Sequence, residues 1–279
     1  MHIKYWEELK KDTFGKIGLV LFLFFIVIVL IAPFITRDPQ VQTALVFEAP
    51  SLEHLLGTND VGQDIWSRLV WGARTSLLVA IGVGMLSTFL GALIGASAAL
   101  IGGWYEEIAM RIIDAFLVIP TVILLILVAA FIRPSIWLLI VLISFLRWQG
   151  GARIIRSQTL SLKESVHISA AKSFGASRFY ILFRHIIPDL APILVVSFIY
   201  SARMAVFMEA GLAFIGITDP SVVSWGKMMH HALNFYYLDI WKWWLLPAGM
   251  ALSALILVFA FLGYSLEKIM DPRLRKSNA

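Results

Sequence analysis

Apolar runs of bilayer length limit this chain more than any other feature. The first, IGLVLFLFFIVIVLIAPFI, occupies residues 17–35 without a charged side chain. A helix needs about 20 mostly apolar residues to cross a hydrocarbon core. Inside lipid its backbone must satisfy all its own hydrogen bonds, which selects helices or closed barrels. Further runs lie at 77–102, 112–132, 135–146, 190–217 and 244–264, the fourth being short. The reading is an all-α membrane protein with six transmembrane helices. The 15% of charged residues supports it, because a soluble domain carries about 25%. With no cysteine, disulfide and thiolate chemistry is excluded. The first run exceeds a usual signal-peptide core and no A-x-A site follows, so it is read as a retained span.

Lysine and arginine set the orientation. With the N-terminus inside, the inner segments hold 16 of the 23 Lys and Arg, including Lys4, Lys10, Lys11, Arg273, Arg275 and Lys276. The outer segments, Arg133 among them, hold 6, and Arg203 lies within a span. Both termini are therefore expected in the cytoplasm, N-in and C-in. The net charge of +5 then reflects topology, and no nucleic-acid partner is expected. The aromatic cluster at 235–244, FYYLDIWKWW, reads as an outer interfacial belt.

One inner segment departs from the grease around it: HISAAKSFGASRFYILFRHIIP, residues 167–188. Val166, Ala170 and Phe174 recur at i, i+4 and i+8, on one face of a short helix that Ser165 is placed to cap. Gly175 breaks that helix. Phe179, Leu182, Phe183 and Ile186 then form a second stripe, and Pro188 is expected to stop it. A bent pair with a small-residue front and an apolar back is either a docking element or an ordinary surface connector.

The segment resembles the E-A-A-x-x-x-G loop of permease subunits of binding-protein-dependent ABC importers. Ser169, Ala170, Ala171, Gly175 and Pro188 keep its spacing, with Ser169 where the pattern has Glu. A second patch, residues 56–77, resembles the G-T-D-x-x-G-R-D…S-R…G-x-R-x-S-L signature of the peptide and nickel branch. Gly57, Thr58, Gly62, Asp64, Arg68 and Arg74 match, while Asn59 and Gln63 replace Asp and Arg. RIIDAFLVIP, EAGLAFIG, SWG and a terminal DPR extend the likeness over nearly the whole chain.

The resemblance implies a type I (MetI-like) importer permease, with an N-terminal part at residues 1–74 and a core at 75–279 containing a coupling loop at 153–188. It implies a dipeptide or oligopeptide cargo, a homologous second permease, two ATPase subunits and an extracellular solute-binding protein, in the cytoplasmic membrane. Val166, Ser169, Ala170, Ala171, Phe174, Gly175, Arg178 and Pro188 would meet the ATPase. The patch at 56–77 would form a loop on the binding-protein side. The chain itself would bind no cofactor, ATP and Mg belonging to the ATPases. No G-x-x-x-x-G-K-[ST], H-E-x-x-H or G-x-S-x-G is present, so no enzyme chemistry is assigned.

Arg203 and Glu209 stand inside a span, where ionisable groups are costly and functional by default. Arg203 is expected on the translocation path, facing a peptide carboxylate, or paired with an acid of the partner permease. Glu209 is expected at the outer gate. Gly91 and Gly95 form a G-x-x-x-G pair suited to close helix packing. WGKMMHH at 225–231 places two Met beside two His, which keeps a nickel or metal-chelate cargo as an alternative, although no metal site is assigned. An ion-coupled secondary transporter is the alternative of another class.

Overall fold

The computed structural model describes residues 12–42, 45–132 and 135–270. Lys4, Lys10, Lys11, Arg133, Arg273, Arg275, Lys276 and the DPR motif lie outside them. Among the described residues there are helices and two isolated bridges, Gln42 to Gln63 and Thr58 to Asp64, with no strand.

Helix α1 (Thr13–Ile35) starts at Asp12, whose carboxylate accepts the Gly15 N–H at 3.1 Å. Helix α2 (Ile65–Ile101) begins well before the expected residue 77, so the loop read at 56–77 ends at Asp64. Asp64 caps α2 by accepting the Ser67 N–H at 2.8 Å, which satisfies one of the orphan donors of the first turn. Gly102 and Gly103, both at positive φ, turn the chain into α3 (Gly103–Val118).

The run at 112–132 is not one helix. It breaks before Pro120, and α3 meets α4 (Thr121–Ile132) at a 79° bend. Proline has no N–H to continue the ladder and clashes with the preceding turn. The short fourth run forms α5 (Ile136–Phe145), joined at a 44° bend to α6 (Trp148–Lys163). Among the described residues, four stretches are long and apolar enough to cross a membrane: Thr13–Ile35, Ile65–Ile101, Arg178–Phe214 and Asp239–Ile269. The two bent pairs bring the number to six when each is taken as a broken span.

The basic segment folds as α7 (Val166–Ser173) and α8 (Arg178–Ile181), then a π-helical turn at Leu182–Ile186 that runs directly into α9 (Ile187–Phe214). Pro188 therefore does not stop the segment. It sits in the first turn of α9, where its missing N–H costs least. The wide turn, with the Ile187 N–H donating to the Leu182 carbonyl, inserts an extra residue into the ladder. That shift also splits the expected stripe. Leu182 and Ile186 are buried, while Phe179 and Phe183 are exposed. Helices α10 (Trp225–Leu233) and α11 (Leu245–Met270) complete the chain.

Helix α2 is central and packs against α1, α5, α6, α9, α10 and α11. Its glycines permit the approach to α6: a Cβ on Gly91 would lie 3.2 Å from the Ala152 nitrogen, and one on Gly95 would strike the Ala152 carbonyl. Acidic groups of α3 hold the other side of α6, with Arg156 Nε donating to Glu106 at 2.6 Å and Arg153 paired with Asp114. Lys268 Nζ lies 3.0 Å from Asp12, so both ends of the described chain stand at one end of the bundle. Because α9 and α11 run antiparallel, with Gly263 against Ile199, the α7–α8 hairpin lies at that same end.

Candidate functional site

The hairpin is mounted from behind and open in front. Ile168, Ile181, Leu182 and Ile186 are buried with Ala96 and Leu100 of α2 and Ile155 of α6. At the front, Val166 is 86% exposed and Phe174 91% exposed. Ser169, Ala170, Gly175 and Arg178 are also exposed, and Ala171 is half-buried. Gly175 has φ +80°, a conformation that L side chains rarely adopt. Ser165 occupies the cap position of α7, but its buried hydroxyl has no partner. Ser177 does cap α8, accepting the Tyr180 N–H at 3.2 Å. His167 Nε2 reaches Asp189 at 3.0 Å and ties α7 to the base of α9. The hairpin is therefore packed at its rear against α2, α6 and α9 and exposed at its front.

At the opposite end, the matched residues mostly build the segment internally. Buried Thr58 donates to the Leu45 carbonyl at 3.0 Å and accepts the Glu48 N–H at 2.9 Å. Gly57 and Gly62 take positive φ. The two departures from the signature meet each other: Asn59 Nδ2 donates to Gln63 Oε1 at 3.1 Å. Gln63 Oε1 also accepts from Arg68, which donates to the Pro39 carbonyl at 3.2 Å. Arg68 and Arg74 lie on α2 rather than in a loop. Arg68 is buried, whereas Arg74 is exposed and stacks on Trp71.

Composition did not single out His54. It is buried and within 3.0 Å of Asp64 and 3.8 Å of Glu48. SWG has a packing role: Ser224 caps α10, and Trp225 Nε1 donates to the Leu69 carbonyl at 2.8 Å.

Arg203 and Glu209 occupy different places. Glu209 is buried beside Ser224, with its Oε2 unbonded, in a small pocket that Thr75 and Val222 also line. Arg203 lines a cavity of about 680 Å³ between α6, α9 and α11. Arg147, Tyr200 and Glu267 share its wall. Sequence reasoning counted Arg147 only as an inner charge and passed over Tyr200; their juxtaposition depends on the bend between α5 and α6. In WGKMMHH, Met228 is buried and His230 Nδ1 meets the Phe214 carbonyl at 2.6 Å. No group of three metal-ligating His, Cys, Asp or Glu occurs among the described residues.

Comparison with known proteins agrees with this architecture. Residues 87–276 match the family model of binding-protein-dependent transport system inner membrane components. Residues 4–50 match the N-terminal transmembrane domain of oligopeptide transport permease C. A Brucella abortus protein named as a peptide transport system permease is 37% identical, covering 96% of this chain and 91% of its own. A peptide permease protein of Brucella suis is 39% identical over 81% of this chain and 75% of its own. The dipeptide transport system permease DppC of Bacillus subtilis is 31% identical over 97% and 85%. A multi-pass membrane protein with this helical order, matched along most of its length, belongs to the binding-protein-dependent transport system inner membrane component family, the permease subunits of ABC transporters.

Proposed function

We propose that this chain is one permease subunit of an ABC importer for dipeptides or oligopeptides. It works beside a homologous permease, with two ATPase subunits at the cytoplasmic end and a solute-binding protein outside. In this reading the Asp12–Lys268 end of the bundle faces the cytoplasm, as the Lys and Arg bias favours. The observation that carries the proposal is the α7–α8 hairpin. Val166 and Phe174 stand almost fully exposed on a mount whose rear is packed into α2, α6 and α9. ATP-driven closure of the ATPases would shift the hairpin as a lever and rock α2 and α9 between inward- and outward-open arrangements. The names of the relatives support the peptide cargo.

The test uses the absence of native cysteine. A single Ala170→Cys is expected to cross-link to a co-expressed ATPase and to react with a membrane-impermeant thiol reagent only in inverted vesicles. Peptide uptake by the reconstituted complex should stop with a hydrolysis-dead ATPase and survive collapse of the proton gradient. Labelling from the outside, or uptake driven by the gradient alone, would overturn the reading.

A further inference from the structure

The large cavity holds two arginines, Arg147 and Arg203, that its wall leaves without an ion pair. Arg147 Cζ lies 5.6 Å and Arg203 Cζ 5.1 Å from the centroid of the same Tyr200 ring. Neither guanidinium forms an ion pair among the described residues. The Arg147 Nε is buried and has no hydrogen-bond partner. Arg147 also sits at the N-cap of α6, the end of a helix where the macrodipole disfavours a cation. The acid on the same wall, Glu267 of α11, pairs with neither arginine. Two cations gathered on one ring repel each other, and the tyrosine face compensates only in part. Guanidinium groups are planar forks that fit a carboxylate through two parallel hydrogen bonds. The space of about 680 Å³ falls within the range of about 300–1,000 Å³ typical of small-ligand sites. Gly150 adds to it, because a Cβ there would meet nothing within 4 Å.

We propose that Arg147 and Arg203, aligned on Tyr200, form a carboxylate-binding site that holds the C-terminal carboxylate of a short peptide inside the permease. This rests on the peptide-importer reading and specifies where that cargo is recognised. The site adds an anion-selective step to whatever selection occurs before cargo enters.

The experiment uses the complete reconstituted importer and two probes, trialanine and trialanine C-terminal amide. Each variant's uptake is divided by wild-type uptake of the same probe, so selection before the permease cancels. ATP hydrolysis is followed in parallel. Arg203→Gln and Arg147→Gln are each expected to lower trialanine uptake about tenfold or more, the usual effect of losing a charge-assisted hydrogen bond. Uptake of the amide should change less than about twofold, with ATP hydrolysis retained. Arg203→Lys should recover part of the trialanine loss, because it keeps the charge but loses the fork. Equal loss for both probes with hydrolysis retained would overturn the site while leaving the importer reading standing. So would a deficit that follows the presence of phosphatidylglycerol in the phosphatidylcholine vesicles rather than the probe, which would make the anion a lipid headgroup. Failure of the wild-type complex to import either probe would overturn the peptide reading and this site with it.

Discussion

A Cβ placed on Gly95 would collide with the carbonyl oxygen of Ala152. Helices α2 and α6 therefore meet backbone to backbone, and the hairpin's mount depends on that seam. Gly95→Ala is expected to lower stability by about 1–3 kcal/mol, the usual cost of overpacking. Thermal unfolding of the detergent-solubilised protein checks it. Gly150→Ala is the control: its Cβ would meet nothing within 4 Å, so at this helical position the change should cost nothing and can raise stability by up to about 1 kcal/mol. Equal effects would mean that the seam is looser than described.

Phe174 is 91% exposed, so its removal separates folding from docking. Phe174→Ser should leave the unfolding midpoint unchanged, within about 0.5 kcal/mol. It should also reduce recovery of the ATPase with the permease. Retained association would remove Phe174 from the docking surface.

Asp64 serves two groups at once. One carboxylate oxygen accepts from the Ser67 N–H and hydroxyl, at 2.8 and 2.6 Å, while the other meets His54 Nδ1 at 3.0 Å. Asp64→Ala removes the α2 cap and strands a buried imidazole, with an expected loss of about 2 kcal/mol or more. Asp64→Asn preserves the cap geometry and should cost less. Hydrogen exchange at the start of α2 will report the difference.

His231 of α10 is a pH-sensitive group at this end. Burial holds its imidazole below the ordinary 6.5; Lys227, Arg68 and His230 act in the same direction, and Asp60 opposes them. A lowered pKa means that the unfolded chain binds more protons at mildly acidic pH. Stability is therefore present above pH 6.5 and lost as pH falls from there toward the lowered value in the fold. His231→Gln should flatten the pH dependence of unfolding across that window. An unchanged slope would place the titration elsewhere.

Much of the architecture was legible because its signals are local. Apolar length announced the spans, and Gly175 breaks α7 through its own backbone geometry. The small residues of Gly91 and Gly95 announced close packing, which α6 supplies. Other features were hidden because they depend on neighbours distant in sequence. The helical start of α2 was masked by Arg68 and Arg74, which looked like loop polarity. Arg68 is in fact buried against Gln63 and the Pro39 carbonyl. Pro188 looked like a stop, yet the wide turn before it lets the helix continue.

The sequence by itself determined that the chain crosses a membrane as helices, and that one basic, small-residue hairpin stands apart from them. Hydrophobic length and backbone conformational preference are properties of short segments, so no partner is needed to read them. Only the tertiary structure decided which charges are already satisfied. Arg156 and Arg153 find acids on α3, whereas Arg147 and Arg203 converge on Tyr200 without one. The energy of a charge in a low-dielectric interior is set by what lies within a few ångströms of it. That neighbourhood is created by the packing of α6 against α9 and not by either stretch alone.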